Sequence, residues 1–403
     1  MRGVRTRLSA ALALALALGV PAWGNDTNYQ NYLVGERALG LGGAYCALAD
    51  DASGAFYNPA GVALVRSSSL SGSLNIYGIE KQRRERGYTA QLDGTEVTVD
   101  LEDTHVATLP TTVALVRKLG RPMSDGVSRH AVGYAIYMPY STSFEMDEVV
   151  RGPRSEGEIL INESDRTLWT GPFYAVRLNE RFSLGATVHY GYRTVKRRLL
   201  RVWESENADG ITSSFFSVES AAIDYTSGDA FARAGARYDV GGGLSLGLAA
   251  TTPSAHLLGE GRLRSGTASA EIADPPDPSL AVYEVAEDGG LKTRNPEPVT
   301  LRAGVAWEGQ RTLAALDVTA HLSEEFRPIE LPAAQTASVG RLHVSEIERR
   351  RVVNVNVGGE HTFAGIVPVR AGFLTNFSSA PEVRASDRPQ LSHVDMYGAT
   401  MSV

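Results

Sequence analysis

From Ser68 onward, apolar residues recur at every second position. Leu70, Leu74 and Ile76 alternate with Ser69, Ser71, Ser73 and Asn75, and Val353, Val355 and Val357 alternate with Asn354 and Asn356. A period of two predicts β-strands that each carry one apolar face and one polar or small-residue face. Twelve stretches show it, at 68–78, 106–118, 130–143, 166–178, 182–203, 229–240, 244–263, 297–308, 311–324, 351–363, 367–378 and 391–403. Little room is left for helices. The connections alternate in length: tight turns at Asn179-Glu180, Gly241-Gly242-Gly243, Gly309-Gln310 and Ala364-Gly365 are separated by long polar stretches at 79–105, 144–165, 204–228, 264–296 and 325–350. Short turns at one end and long loops at the other predict an all-β, antiparallel transmembrane β-barrel.

In a barrel the apolar set faces lipid. Ala232, Ala234, Ala236, Tyr238 and Val240 then point outward, which turns Arg233, Arg237 and Asp239 inward. The same rule puts His189 and Arg193 inside, opposite in face to Val188, Tyr190 and Tyr192, and also Arg302 and Arg370. A charge on the lipid face near midplane would cost about 2–4 kcal/mol, so the lumen is the cheaper place for it. With Gly309-Gln310 as a two-residue turn, Arg302 stands directly opposite Asp317, the two forming part of a charged lumen wall that holds a plug. Aromatic residues near strand ends (Tyr137, Tyr140, Trp169, Phe173, Tyr190, Tyr192, Trp203, Tyr238, Trp307, Phe373, Phe377) are expected in interfacial girdles. The chain stops at Met401-Ser402-Val403, inside an alternating run and without a terminal aromatic, so the expectation is a barrel lacking its last hairpin.

Composition narrows the classes. After Val20 no apolar run approaches the roughly 18 residues of a membrane helix, and 21% of residues are charged, which excludes a helical membrane protein. The single Cys, Cys46, permits neither an internal disulfide nor a thiolate cluster. A net charge of -7 without a strongly basic block argues against nucleic acid as a partner. At the start, Arg2, Arg5 and Arg7, the Ala/Leu stretch Ala10 to Val20, and Ala22 and Gly24 before Asn25 read as a signal peptide over 1–24. Its removal loses three arginines and leaves -10.

Residues 25–66 do not alternate. Gly35 to Tyr45 is Gly-rich and includes Gly40, Gly42 and Gly43; Ala49-Asp50-Asp51-Ala52 follows, and then Asn58-Pro59-Ala60-Gly61. Small residues allow close backbone packing, Asp50-Asp51 offers a cap for a short helix over Ala52 to Tyr57, and an Asn-Pro bend would be costly against lipid. An internal plug suits this segment. The Ala-Asp-Asp-Ala and Asn-Pro-Ala stretches resemble those of the outer-membrane long-chain fatty-acid transporter family, the FadL type. The resemblance implies an N-terminal hatch at 25–66 inside the lumen of a monomeric barrel at 67–403, fourteen-stranded in the family against about twelve strands here. It also implies passive uptake of hydrophobic molecules, long-chain fatty acids above all, from the outer membrane of a Gram-negative-type bacterium, with outer-membrane lipids and a fatty-acid-like substrate as partners. The same signature resembles barrels that serve as shuttle subunits in protein secretion, so a non-transporting barrel that docks secreted proteins is the alternative.

Chemistry is sparse. The eight histidines have no ligand spacing, and there is no Gly-x-Ser-x-Gly elbow, P-loop or dinucleotide fingerprint, so no metal, cofactor or enzymatic activity is expected. A Ser/His pair assembled across strands would escape this reading. Basic clusters at Lys81 to Arg86, Lys196-Arg197-Arg198 with Arg201, and Glu348 to Arg351 fall at outer strand ends, where they either meet anionic headgroups or a substrate carboxylate, or are simply solvated.

Overall fold

The computed structural model describes residues 27–403 apart from 74–77, 93–94, 108–111, 153, 207–213, 273–281, 331–345 and 383–392. The signal-peptide segment and the alternation at Leu74 and Ile76 lie outside the described residues. The chain opens with a short helix α1 (Glu36–Gly40), a single turn α2 (Gly54–Tyr57) and a 3₁₀ helix (Pro59–Leu64), and strands make up nearly all the rest. They are β1 (Ser69–Ser73), β2 (Gly78–Leu92), β3 (Thr95–Ala107), β4 (Thr112–Pro122), β5 (Ser128–Arg151), β6 (Ser155–Arg177), β7 (Phe182–Glu206), β8 (Ser214–Gly241) and β9 (Leu244–Thr251). There follow β10 (Ala255–Ile272), β11 (Val282–Leu291), β12 (Thr300–Glu308), β13 (Thr312–His321), β14 (Glu324–Phe326), β15 (Ile347–Arg349), β16 (Val352–Phe363), β17 (Val367–Asn376) and β18 (Met396–Ser402).

One antiparallel sheet runs β1-β4-β5-β6-β7-β8-β9-β12-β13-β16-β17-β18, a path of twelve strands. β10 pairs with the part of β8 that lies beyond β9, and β11 pairs with β10. Among the described residues no ladder joins β1 to β18, so the sheet is not closed. Its two faces are inverted relative to a water-soluble protein. Val188 and Leu248 are 55% and 61% exposed, whereas Thr187, His189, Asp317 and Asn356 on the other face are at most 1% exposed. Such a sheet is stable only where hydrocarbon covers the apolar side.

Arg193, Arg233, Arg237 and Asp317 are buried on the polar face, while Tyr238 and Val240 are exposed on the other. The expected register at Arg302 and Asp317 does not hold. Gln310 and Arg311 are the central turn residues, closed by Gly309 N donating to Thr312 O at 2.8 Å, so the turn sits one residue later than expected. Arg302 therefore lies opposite Thr319, and Asp317 opposite Gly304. The slip is two residues, an even number, and leaves both side chains on the polar face.

Two further expectations need correction. The long polar stretches at 79–105, 144–165, 204–228 and 264–296 are, among the described residues, largely not loops, while most of the stretch at 325–350 lies outside the described residues. β5 to β8 run for 24, 23, 25 and 28 residues, more than twice what crosses a bilayer, and β2 with β3 forms a separate hairpin. Their alternation is hidden in sequence because beyond the membrane the outer face meets water and is itself polar. The inner face there buries Phe144, Met146, Ile159, Ile161 and Leu199. Of the aromatics, Tyr192, Tyr238, Trp307 and Phe373 are exposed outward as a girdle requires, but Tyr137, Trp169 and Phe173 are buried inward. Leu248→Arg should cost about 2–4 kcal/mol in denaturant unfolding from lipid vesicles, because it puts a charge on the hydrocarbon face; an unchanged midpoint would contradict the assignment.

Candidate functional site

The segment before β1 covers the polar face of the sheet, and that face supplies the hydrogen bonds its irregular backbone lacks. Asp317 on β13 accepts from the N–H groups of Tyr45 at 2.9 Å and Cys46 at 2.8 Å. Asn356 on β16 donates to Gly42 O at 2.7 Å and to Gln30 Oε1 at 2.8 Å. Ala47 O accepts from Arg237 at 2.7 Å and Ser245 at 3.2 Å. Asn58 donates to Cys46 O at 2.8 Å and Ala236 O at 3.0 Å, and its Oδ1 caps Ala60 N at the start of the 3₁₀ helix. Lys118 on β4 donates to Ala63 O at 2.6 Å. Each bond to a charged side chain is worth about 1.5–3 kcal/mol, and each orphaned buried N–H would cost about 1–3 kcal/mol.

Contact this close requires missing side chains. Gly185, Gly235, Gly247, Gly304, Gly358 and Gly372 all point at the segment, and a Cβ on them would strike Pro59, Asn58, Cys46, Cys46 again, Leu41 and Gly42 respectively. They pair across strands as Gly185 with Gly235, Gly247 with Gly304 and Gly358 with Gly372. This belt was missed in the sequence, though its signal is there: glycine at wall positions that share parity with the inward charges. On the segment side, Gly42 and Gly43 have φ of 62° and 82°, and Gly40 meets Arg370 and Ser402.

The charges of the segment act in two ways. Asp51 accepts from Ser53 N at 2.8 Å and so braces the turn leading into α2. Asp50 accepts from Arg37 at 2.8 Å and from Tyr45 Oη at 2.9 Å, while Arg37 also approaches Glu360 at 3.4 Å, itself paired with Arg370 at 2.7 Å. Burial opposes the charge on Arg37, but Asp50, Tyr45 and Glu360 outweigh it and hold its pKa above the ordinary range. Burial, and then the charge of Asp317, raise the Cys46 thiol, so it stays protonated.

Behind the segment lies an aromatic layer: Phe56 packs against Tyr137 and Trp169, and Trp169 against Phe231 and His189. Two guanidinium groups sit on it. Arg233 lies 5.1 Å from the Phe56 ring centre and Arg302 5.1 Å from that of Tyr57. Arg233 donates to Thr251 and Arg302 to Thr319, both at 2.9 Å, and among the described residues neither has an ion pair. Arg193 does not join this group. It binds Asp165 and Asn295, and with Arg349, which donates to Pro296 O at 2.9 Å, it pins residues 292–299 across the polar face. Ser227, Asp229 and His256 do meet, but Ser227 Oγ donates to Asp229 at 2.7 Å and the His256 contacts both fall on Nδ1. A nucleophile–base–acid relay needs the two ring nitrogens to serve different partners.

Residues 31–383 match the family described as outer membrane protein transport protein (OMPP1/FadL/TodX). Among solved structures, a Pseudomonas aeruginosa FadL homologue is similar at 15% identity and a TM-score of 0.52, covering 93% of this chain and 86% of that one. The Ralstonia pickettii toluene transporter TbuX is similar at 12% identity and 0.49, covering 87% and 89%. The CymD monoaromatic hydrocarbon channel is similar at 13% identity and 0.47, covering 88% and 85%. No curated protein matches the chain in sequence. The chain belongs to the OMPP1/FadL/TodX family, whose members are outer-membrane β-barrel channels for hydrophobic compounds in Gram-negative bacteria.

Proposed function

We propose that the protein is a passive, gated channel for hydrophobic molecules that end in a carboxylate, long-chain fatty acids above all, with residues 25–66 as its hatch. The observation that carries this reading is the placement of Arg233 and Arg302. Arg233 is buried and Arg302 half-buried, both rest on aromatic rings, and among the described residues neither has a carboxylate partner, so they offer an anion-binding end to an otherwise apolar surface. A fatty acid would set its carboxylate there and its chain along the aromatic layer. Passage requires the hatch to shift, and the bonds to Asp317, Asn356 and Arg237 are what a shift must break. The charged wall thus divides by role: Asp317, Arg237 and Arg370 hold the hatch, Arg233 and Arg302 meet the substrate, and Arg193 holds the 292–299 strap.

Cells carrying the gene should take up labelled oleate faster than cells without it, whereas a barrel that only docks secreted proteins would leave uptake unchanged. Replacing both Arg233 and Arg302 by Gln should lower oleate uptake about tenfold or more while leaving entry of a neutral aromatic such as toluene unaffected; equal losses for both would remove the carboxylate from the account. Asp317→Ala orphans two buried N–H groups, so small sugars should leak faster through vesicles bearing the variant, with Asp317→Asn in between because it keeps one acceptor. An unchanged swelling rate would show that Asp317 does not hold the closure.

A further inference from the structure

The basic run at 196–201 divides between the two faces of the wall. Arg201 is buried inward near Glu219 at 3.5 Å, and Lys196 and Arg198 point outward and are exposed. Cross-strand register gathers more cations around them. Ser164, Lys196, Asp224 and Arg262 form one rung across β6, β7, β8 and β10, and Asn162, Arg198, Ala222 and Arg264 form the next one outward. Arg166, Thr194, Thr226 and Glu260 form the rung beneath, and below that come Leu168, Tyr192, Gly228 and Leu258. On one face of four neighbouring strands the chain therefore passes from leucine and tyrosine to lysine and arginine within two rungs, about 7 Å apart each. That change marks where hydrocarbon ends and headgroups begin.

We propose that this outward face, with Arg166, Lys196, Arg198, Arg262 and Arg264, binds the phosphate groups of phosphorylated glycolipid in the outer leaflet. Four strands at roughly 4.8 Å spacing spread the cations over about 15 Å, a span suited to more than one phosphate. Guanidinium groups engage phosphate through two parallel N–H bonds, and lysine adds a point charge. Three carboxylates lie among them: Asp224 pairs with Arg198 at 3.0 Å, Glu287 with Arg264 at 3.1 Å and Arg262 at 3.6 Å, and Glu260 shares the lower rung. These pairs are half-exposed and contribute little, so phosphate can compete for the same arginines. Among the described residues Arg166 and Lys196 have no ion pair. A lipid fits better than an acidic protein because the patch faces sideways, directly above the apolar belt, where a soluble partner would first have to displace the headgroups. The proposal depends on the outer-membrane location and not on which molecule the channel carries.

The test is retention of lipid by the purified full chain, counted by native mass spectrometry after reconstitution with either diphosphorylated lipid A or phosphatidylcholine. Wild type should retain lipid A through detergent exchange that strips phosphatidylcholine, and K196Q/R198Q/R262Q/R264Q should retain about tenfold less or lower. Substituting the three arginines by Lys should preserve most of the retention, and raising salt should reduce it. The paired R166Q/K196Q variant, which touches no ion pair, gives the same comparison should the fourfold variant fail to fold. Equal retention of the two lipids, or variants that hold lipid A as well as wild type does, would overturn the proposal and leave the patch as a solvated face or a protein contact.

Discussion

A segment with little regular secondary structure can be buried only if something else satisfies its backbone, and the whole inner organisation of this protein follows from that constraint. Between Leu41 and Ala52 the segment has no helix or strand, and turns pair the N–H groups of Leu41 to Ala44 and Leu48 within it. The wall pairs the N–H groups of Tyr45 and Cys46 and the carbonyls of Gly42 and Ala47. Asp317, Asn356, Arg237 and Ser245 come from β13, β16, β8 and β9, which with β12 form one continuous run of the sheet path, and the glycine belt lets the two backbones approach. Polar side chains are affordable on this face because apolar ones already meet lipid on the other. The same alternation that builds the barrel wall thus builds the docking surface.

The wall is markedly uneven in height. β5 to β8 rise far beyond the membrane while β12, β13 and β17 stop after 9 or 10 residues. The strap at 292–299 lies on the polar side, tied to the tall strands through Arg193 and to the separate β14-β15 pair through Arg349. Arg349 also lies 6.0 Å from the ring of Tyr29, and Tyr29 stacks on His321 at 4.1 Å. One arginine therefore touches both the strap and the hatch segment. Movement of either changes the surroundings of the other.

Strand identity was legible wherever one face meets hydrocarbon, because there the two faces differ most; Val353 to Val357 is the plainest case. It was not legible at Glu156 to Asp165, where water bathes the outer face and the consecutive Ile159-Leu160-Ile161 shows no alternation, although Ile159 and Ile161 are the buried ones. The facing of Arg233, Arg237, Arg302 and Asp317 could be read from parity alone, but their partners could not, since parity says nothing about register. A turn displaced by one residue, to Gln310-Arg311, moved Asp317 from Arg302 to Gly304 and so to the backbone of Tyr45 and Cys46. Trp169 and Tyr137 were misplaced for a related reason. An aromatic near a strand end looks the same in sequence whether it meets lipid headgroups or the flank of a hatch.

The central proposal is that residues 25–66 close the channel by docking on the wall and open it by leaving. Cys46 reports on this directly, as the single cysteine of the chain, fully buried beneath Asn58 and beside Arg302. The decisive measurement is its rate of reaction with a water-soluble maleimide, in protein reconstituted in vesicles, with and without oleate. Docking predicts almost no labelling at rest and clear acceleration when oleate is present. Rapid labelling at rest, or a rate that stays unchanged while oleate passes through, would contradict the account.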